Sequence, residues 1–329
     1  MYRKILLLLF VLIATPDVLA EEFAVPDGIV YLEWHSDFSP QEKEKLKAWL
    51  TKATHVASQL SGKFPRAESR VVIERASRRR GSRWPVPWGQ TIRRGMNGVL
   101  FQVNTEKPLQ AYIGDWTAAH EFSHLFVPYP GQRDIWLSEG FASYYQNILM
   151  AREGIYNELQ AWQKLYEGFT RAGADRNEGY TLNEISEGRR QHSATMRLYW
   201  SGALFFLEAD IALRLASNNA VTLDWVVDEF LQCCNNYRRR LSGKDMLEYY
   251  DRVLRDKAPR LAATLGDHYF RELYQRYSQS HAIPNYEDVL SRVGISVRDK
   301  SVHLDGGHQY ASVRRDMTQA KLPPIEVNP

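Results

Sequence analysis

The chemistry open to this chain is concentrated in one short segment, Trp116-Thr117-Ala118-Ala119-His120-Glu121-Phe122-Ser123-His124-Leu125-Phe126. It holds the pattern H-E-x-x-H inside an apolar repeat of helical spacing. On a helix, residues four apart stand one above the other on one face, so His120 and His124 can aim two imidazoles at one metal ion. Glu121 lies one step round, beside the metal rather than on it. There it can take a proton from a zinc-bound water, whose pKa the metal pulls toward neutrality. This is the metalloprotease use of the spacing. Taken alone, the pattern also fits two half-buried, hydrogen-bonded histidines.

A catalytic zinc takes three protein ligands and keeps one position open. Fourteen residues beyond His124, the run Trp136-Leu137-Ser138-Glu139-Gly140-Phe141-Ala142-Ser143-Tyr144-Tyr145 offers Glu139 as the third. The intervening Pro128-Tyr129-Pro130-Gly131-Gln132 loop is long enough to reverse direction. Phe141, Ala142, Tyr145, Ile148 and Leu149 follow at helical spacing, so the face bearing Glu139 is expected to be buried. A buried carboxylate needs a partner, and a metal is a natural one. The residues therefore predict one Zn2+ per chain on His120, His124 and Glu139, with Glu121 as general base.

H-E-x-x-H followed by W-L-S-E-G-F-A-S-Y-Y resembles the gluzincins, whose third zinc ligand is a Glu inside W-[LV]-x-E-G. Within them the chain is most similar to the glycyl aminopeptidase family and more distantly similar to aminopeptidase N. Arg197-Leu198-Tyr199-Trp200-Ser201-Gly202-Ala203-Leu204 resembles the Y-x-x-G-A segment of these families, and Ala209 to Arg214 is also like theirs. Phe270 to Gly294, with Ile283-Pro284 and Val293-Gly294-Ile295, resembles the close of the glycyl aminopeptidase catalytic domain.

The resemblance spans roughly residues 95 to 295. It implies a thermolysin-like α+β catalytic domain with a small mixed sheet lobe and a helical lobe. It also implies hydrolysis of a peptide or protein substrate, in aminopeptidase-like or endopeptidase mode. Tyr199 takes the role of oxyanion donor in that picture. A phenol with a pKa near 10 stays protonated and can donate, while His192 is an alternative donor. One departure stands out. Gly95-Met96-Asn97-Gly98 lies nearest to the G-x-M-E-N strand of aminopeptidase N-like enzymes and lacks its acid, so exo- or endopeptidase mode stays open. The strand Gly98 to Val103 is expected to be an edge on which a peptide could pair. The implied unit is a catalytic domain standing by itself, without the families' large N-terminal β-domain. A non-catalytic peptide- or envelope-binding protein on the gluzincin fold is the alternative, and the intact Glu121 argues against it.

The elements that must position these residues are legible in outline. Ile29 to Trp34 alternates and β-branches like a strand. Ser39, Pro40 and Glu42 form a capping box ahead of a helix with Leu46, Trp49, Leu50, Ala53 and Ala57 on its inner face. Arg70 to Glu74 and Val99 to Val103 read as further strands. Helical spacing then runs through 116–126, 139–151, 156–171, 199–216, 222–233, 244–253 and 267–277. A sheet lobe to about residue 115, zinc helices over 116–151 and a helical lobe over 152–295 make an α+β arrangement with segregated layers. Residues 296–329 read as a loosely packed polar tail.

Of the 329 residues 44% are apolar and 25% charged, an ordinary globular composition, and a net charge of +3 is too small to argue for nucleic acid. Residues 1–20 have the layout of a signal peptide: Arg3 and Lys4, an apolar run from Ile5 to Ala14, and Ala20 before Glu21-Glu22. The mature chain is therefore expected to be exported, periplasmic or secreted, and not integral to a membrane. The two cysteines, Cys233 and Cys234, are adjacent, where an unstrained disulfide is rare; two thiols are expected. Arg75, Arg78, Arg79, Arg80, Arg83, Arg93 and Arg94 crowd the stretch before Gly98. They read as a solvated loop, or as recognition of an acidic substrate or an anionic cell-envelope polymer, and Arg238-Arg239-Arg240 reads the same way. Trp84, Pro85, Pro87 and Trp88 form a rigid turn or wall the cleft.

Overall fold

A computed structural model describes residues 20–77, 83–175, 179–192, 194–234 and 241–327. Apart from Ala20, the expected leader lies outside them, as do Arg78 to Arg80 and Arg238 to Arg240. Five strands form the main sheet: β1 (Glu21–Val25), β2 (Gly28–Trp34), β3 (Glu68–Arg75), β4 (Trp88–Ile92) and β5 (Gly98–Val103), in the order β1-β2-β3-β5-β4. β2, β3 and β5 run parallel, and β1 and β4 are antiparallel to their neighbours. A parallel pair needs a crossover, and helix α1 (Pro40–Ser58) supplies the one between β2 and β3. Its predicted capping box is present: Ser39 N–H donates to Glu42 Oε2 (2.8 Å) and Glu42 N–H to Ser39 Oγ (3.3 Å). Leu46, Trp49 and Leu50 of α1 pack on Val71, Ile73, Val99 and Phe101 of the sheet.

The strand expected as a free edge is not one. β5 is hydrogen-bonded on both sides, to β3 and to β4. β4 is the edge, in a stretch that reads as turn and loop because Trp88-Gly89-Gln90-Thr91-Ile92 lacks apolar alternation.

The remainder is helical. After α2 (Leu109–Ile113) come α3 (Thr117–Ser123), α4 (Ile135–Arg152), α5 (Glu158–Gly173), α6 (Leu182–Glu187), α7 (Arg189–His192) and α8 (Thr195–Ala216). They are followed by α9 (Leu223–Cys234), α10 (Gly243–Lys257), α11 (Pro259–Leu265), α12 (Tyr269–Ser278) and α13 (Tyr286–Ser291). In α4 every residue but Glu139 is buried, the signature of a helix enclosed on all sides. It packs against α8 through Phe141 and Phe206, whose rings meet edge to face at 5.3 Å.

The segment after residue 294 is a correction. It forms a hairpin, β6 (Ile295–Arg298) and β7 (Ser301–Leu304), and a helix α14 (Ala311–Thr318). Ile295, Val302, Val313 and Met317 are buried in the helical core. These apolar residues are too widely spaced among charges to show a period. Cys233 is disulfide-bonded, against the expectation of thiols, and the side chain of Cys234 lies outside the described residues. Among the described residues no helix is long and apolar enough to cross a membrane.

Candidate active site

α3 is wedged between the two lobes. Asp115 Oδ1 accepts from Thr117 N (2.8 Å) and so opens the helix. Phe122 points into the sheet core, its ring 5.5 Å from Phe101 and 5.3 Å from Phe64. That orientation turns His120 and His124 toward α4. His124 follows the last assigned residue of α3 but keeps helical dihedrals (φ −61°, ψ −19°). The four-residue stacking is therefore preserved, with the two imidazole centroids 4.9 Å apart.

The three expected ligands converge. Nε2 of His120 lies 3.4 Å from Glu139 Oε2, and Nε2 of His124 lies 3.5 Å from the same oxygen. The opposite ring nitrogens are already engaged. Nδ1 of His120 is 2.8 Å from Gln146 Oε1, and Nδ1 of His124 is 3.0 Å from Ser138 Oγ. A carbonyl oxygen can only accept, so His120 donates from Nδ1 and turns Nε2 toward Glu139. Outer hydrogen bonds of this kind fix the tautomer and orientation of zinc-ligating histidines. Burial opposes ionisation of Glu139, yet the two histidines hold its carboxyl well below the usual range. Burial likewise opposes charge on His120, and Glu139 and Glu121 outweigh it to raise that pKa. Two imidazoles and a carboxylate focused on one buried point are a donor set that fits a divalent zinc.

Tyr199 is brought to the same place by the crossing of α4 and α8. A Cβ on Gly202 would stand 2.1 Å from the Trp136 carbonyl oxygen, and one on Gly140 would stand 2.3 Å from Gly202 Cα. Only glycines on both helices permit this approach. Gly140 follows Glu139, and Gly202 lies one turn beyond Tyr199, so the contact sets the spacing of these two side chains. The Tyr199 ring stacks on His120 at 5.9 Å with 9° between planes. Burial, and then the charge of Glu139, push its phenol well above the ordinary value; it stays protonated. The side chain of His192, the alternative donor, lies outside the described residues.

Edge strand β4 forms the other wall. A Cβ at Gly89 would fall 2.5 Å from Glu121 Cγ, so the strand is pressed onto α3 where a side chain would not fit. Thr91 Oγ1 donates to Glu121 Oε2 (3.2 Å). The cleft has a volume of about 420 Å³ and is lined by β4, Glu121, Tyr129, Ile135, Ser138, Glu139 and Tyr199, with Arg93 and Arg189.

Several of these residues escape sequence reasoning. Arg93, expected in a solvated loop, donates to the carbonyls of His124 (3.1 Å) and Val127 (3.2 Å) at the end of α3. Arg75 is paired with Glu42 at 2.6 Å. Arg189 reaches Tyr199 Oη (3.2 Å) from the four-residue α7, too short to announce itself by periodicity. Gln146 carried a usable signal: it lies two turns beyond Glu139 on the same helix face.

Residues 129–204 match the family model of M61 glycyl aminopeptidase. The segment contains Glu139, Tyr199 and their glycine crossing, and begins after the H-E-x-x-H. An aminopeptidase N family protein of Idiomarina loihiensis shares the fold, with a TM-score of 0.59 at 16% identity over 86% of this chain and 50% of its own. The two share one fold over most of this chain. An M1 zinc metallopeptidase variant of Deinococcus radiodurans, bound to a Tyr-Ser-Ala substrate, gives a TM-score of 0.49 at 13% identity, over 81% of this chain and 52% of its own. The chain spans about half the length of the solved structures it matches. No curated protein matches it. The mixed sheet and the helical part agree with the α+β expectation.

Proposed function

We propose that this chain is an exported, zinc-dependent peptidase that holds one zinc ion on His120, His124 and Glu139 in a thermolysin-like cleft. The observation that carries the reading is the convergence of both Nε2 atoms on one Glu139 oxygen, with both Nδ1 atoms tied elsewhere. The bound zinc supplies a Lewis acid and acidifies water at neutral pH. Glu121, held by Thr91 at the base of β4, takes the proton of the attacking water and passes it to the leaving amine. Tyr199, kept protonated, donates to the oxyanion that develops on the scissile carbonyl. A peptide laid along β4 would add to its free edge and present its carbonyl to these groups. Arg3, Lys4, the apolar run to Ala14 and the small Ala20 support export.

The test is metal content and peptide cleavage by the purified chain beside a Glu121→Gln variant. We expect about one zinc per chain in both proteins, and a loss of roughly 10²- to 10⁴-fold in cleavage by the variant. Zinc in both with cleavage by neither would leave the peptide-binding alternative. No zinc in either would overturn the ligand assignment.

A further inference from the structure

We propose that the cleft recognises a carboxylate of the substrate rather than a free α-ammonium, and that Arg189 reads it. The inference rests on the peptidase reading and names its substrate class. Among the described residues lining the cleft, the carboxylates are Glu121 and Glu139. Both are committed: Glu139 Oε2 faces the two histidines, and Glu121 stands against β4 under the Thr91 hydroxyl. The other ionised side chains of the lining are two guanidiniums, Arg93 and Arg189. Gly95-Met96-Asn97-Gly98 contributes no acid. An ammonium entering here meets positive charge with no uncommitted carboxylate to pair it, whereas a carboxylate meets fork donors.

Arg189 is placed for the task. It is 33% exposed, its Nη2 donates to Tyr199 Oη at 3.2 Å, and its Nη1 lies 3.7 Å from Glu139 Oε1. A guanidinium has five N–H donors, so these two contacts leave others for an incoming anion. The side chain also borders an adjoining cavity of about 650 Å³, lined by Gln132, Glu187, Gly188, Gln191 and Thr195. Its one acid, Glu187, is paired with Arg133 at 3.4 Å. Because Tyr199 faces the scissile carbonyl in the proposed reaction, a group bound by Arg189 lies close to the bond that breaks. The carboxylate can come from an Asp or Glu side chain flanking that bond, or from the C-terminus when the bond is the last one.

The experiment uses the zinc-loaded full chain and one parent peptide with Glu, Gln or Lys flanking the cleaved bond. Each is made with a free or acetylated N-terminus and with an acid or amide C-terminus. We expect kcat/KM for Glu to exceed that for isosteric Gln by about tenfold or more, and Lys to be the poorest. Acetylation should change the rate by less than about threefold, since no ammonium site is lost. Preference for an internal Glu assigns the side chain as the source, and preference for the C-terminal acid over its amide assigns the terminus. In Arg189→Gln the carboxylate-to-neutral ratio should fall to within about twofold, and Arg189→Lys should keep part of it. The ratio is internal to each protein, so a partly misfolded variant does not mimic the result. Calorimetric binding of the same peptides to Glu121→Gln gives a second ratio without turnover. A required free amine, equal rates both for Glu and Gln and for the C-terminal acid and its amide, or a carboxylate preference that survives Arg189→Gln would overturn the proposal. If no peptide is cleaved, the peptidase reading fails and the binding ratio alone decides this one.

Discussion

Replacing Gly202 with alanine puts a methyl group 2.1 Å from the carbonyl oxygen of Trp136 and 2.7 Å from Gly140 Cα. Ordinary contacts of a Cβ begin at about 3.4 Å, so α4 and α8 must part by roughly an ångström at their crossing. Both obstructing atoms are backbone, and no rotamer change relieves them. Alanine is favoured over glycine inside a helix by about 1 kcal/mol, while overpacking of a close contact costs about 1–3 kcal/mol or more. The net expectation is a loss of about 0–2 kcal/mol or more, read as a lower urea midpoint. Activity should suffer more than stability. Tyr199 is carried by α8 and Glu139 by α4, and a displacement of about 1 Å at a reacting group can cost roughly 10²-fold. The control is Gly173→Ala at the exposed end of α5, where the added methyl meets only Ile283 Cγ2 at 3.8 Å. That change should be neutral to slightly stabilising, with kcat/KM unaltered. If Gly202→Ala behaves like Gly173→Ala in both assays, the glycine crossing does not set the Tyr199–Glu139 spacing and the reasoning is wrong.

Gln146→Leu removes the acceptor of His120 Nδ1 and should weaken zinc binding by about 10- to 100-fold, measured by competition with a chelator. Glu153 has no exposed side-chain surface and accepts from Lys52 (2.8 Å), His55 (2.7 Å) and Gln59 (2.8 Å). Glu153→Gln should therefore cost about 3–5 kcal/mol in urea unfolding at neutral pH. Burial opposes the ionisation of Glu153, but these partners lower its pKa below 4.5. Its contribution is present above the unfolded value and is lost as pH falls through the folded one, so Glu153→Gln should flatten that acid limb. Asp251 has the opposite sign, because burial pushes its carboxyl up to about 6 from 3.8. Its favourable contribution is complete below about 3.8 and disappears as pH rises through about 6. Asp251→Asn should therefore remove a decline in stability across that window, on the order of 1–3 kcal/mol; an unchanged urea profile would refute it.

Legibility followed locality. Ser39 and Glu42 announced α1 because a capping box is written within four residues, and β2, β3 and β5 showed in short apolar runs. The convergence of His120, His124 and Glu139 was legible because the H-E-x-x-H spacing and a later buried Glu restrict which side chains can meet. β4 was not, since Trp88 to Ile92 lacks apolar alternation and its place in the site comes from the closeness of Gly89 to Glu121, which is distant in sequence. Arg189 was hidden for a related reason: its meaning comes from Tyr199 and Glu139, reached through a four-residue helix without a period. The C-terminal hairpin and α14 were mistaken for a tail because Val302 and Met317 are isolated among polar neighbours.

That C-terminal segment bears on the site through the far end of α4. Arg152 donates to Met317 O (2.9 Å), to Gln59 O (3.2 Å) of the sheet lobe and to Asp224 (2.9 Å) of α9. Asp224 also meets Lys321 at 2.9 Å, and Glu153 accepts from Ile325 N (3.0 Å). Charges buried in this way contribute little net stability beside apolar residues of equal volume, but they are costly to unpair. An apolar contact tolerates a helix that slides or rotates slightly. Hydrogen-bonded ions at fixed distances do not, because each small movement leaves a buried donor or acceptor unpaired. The polar cluster at Arg152 and Glu153 thus holds the rotation of α4, and with it the direction in which Glu139 faces the two histidines.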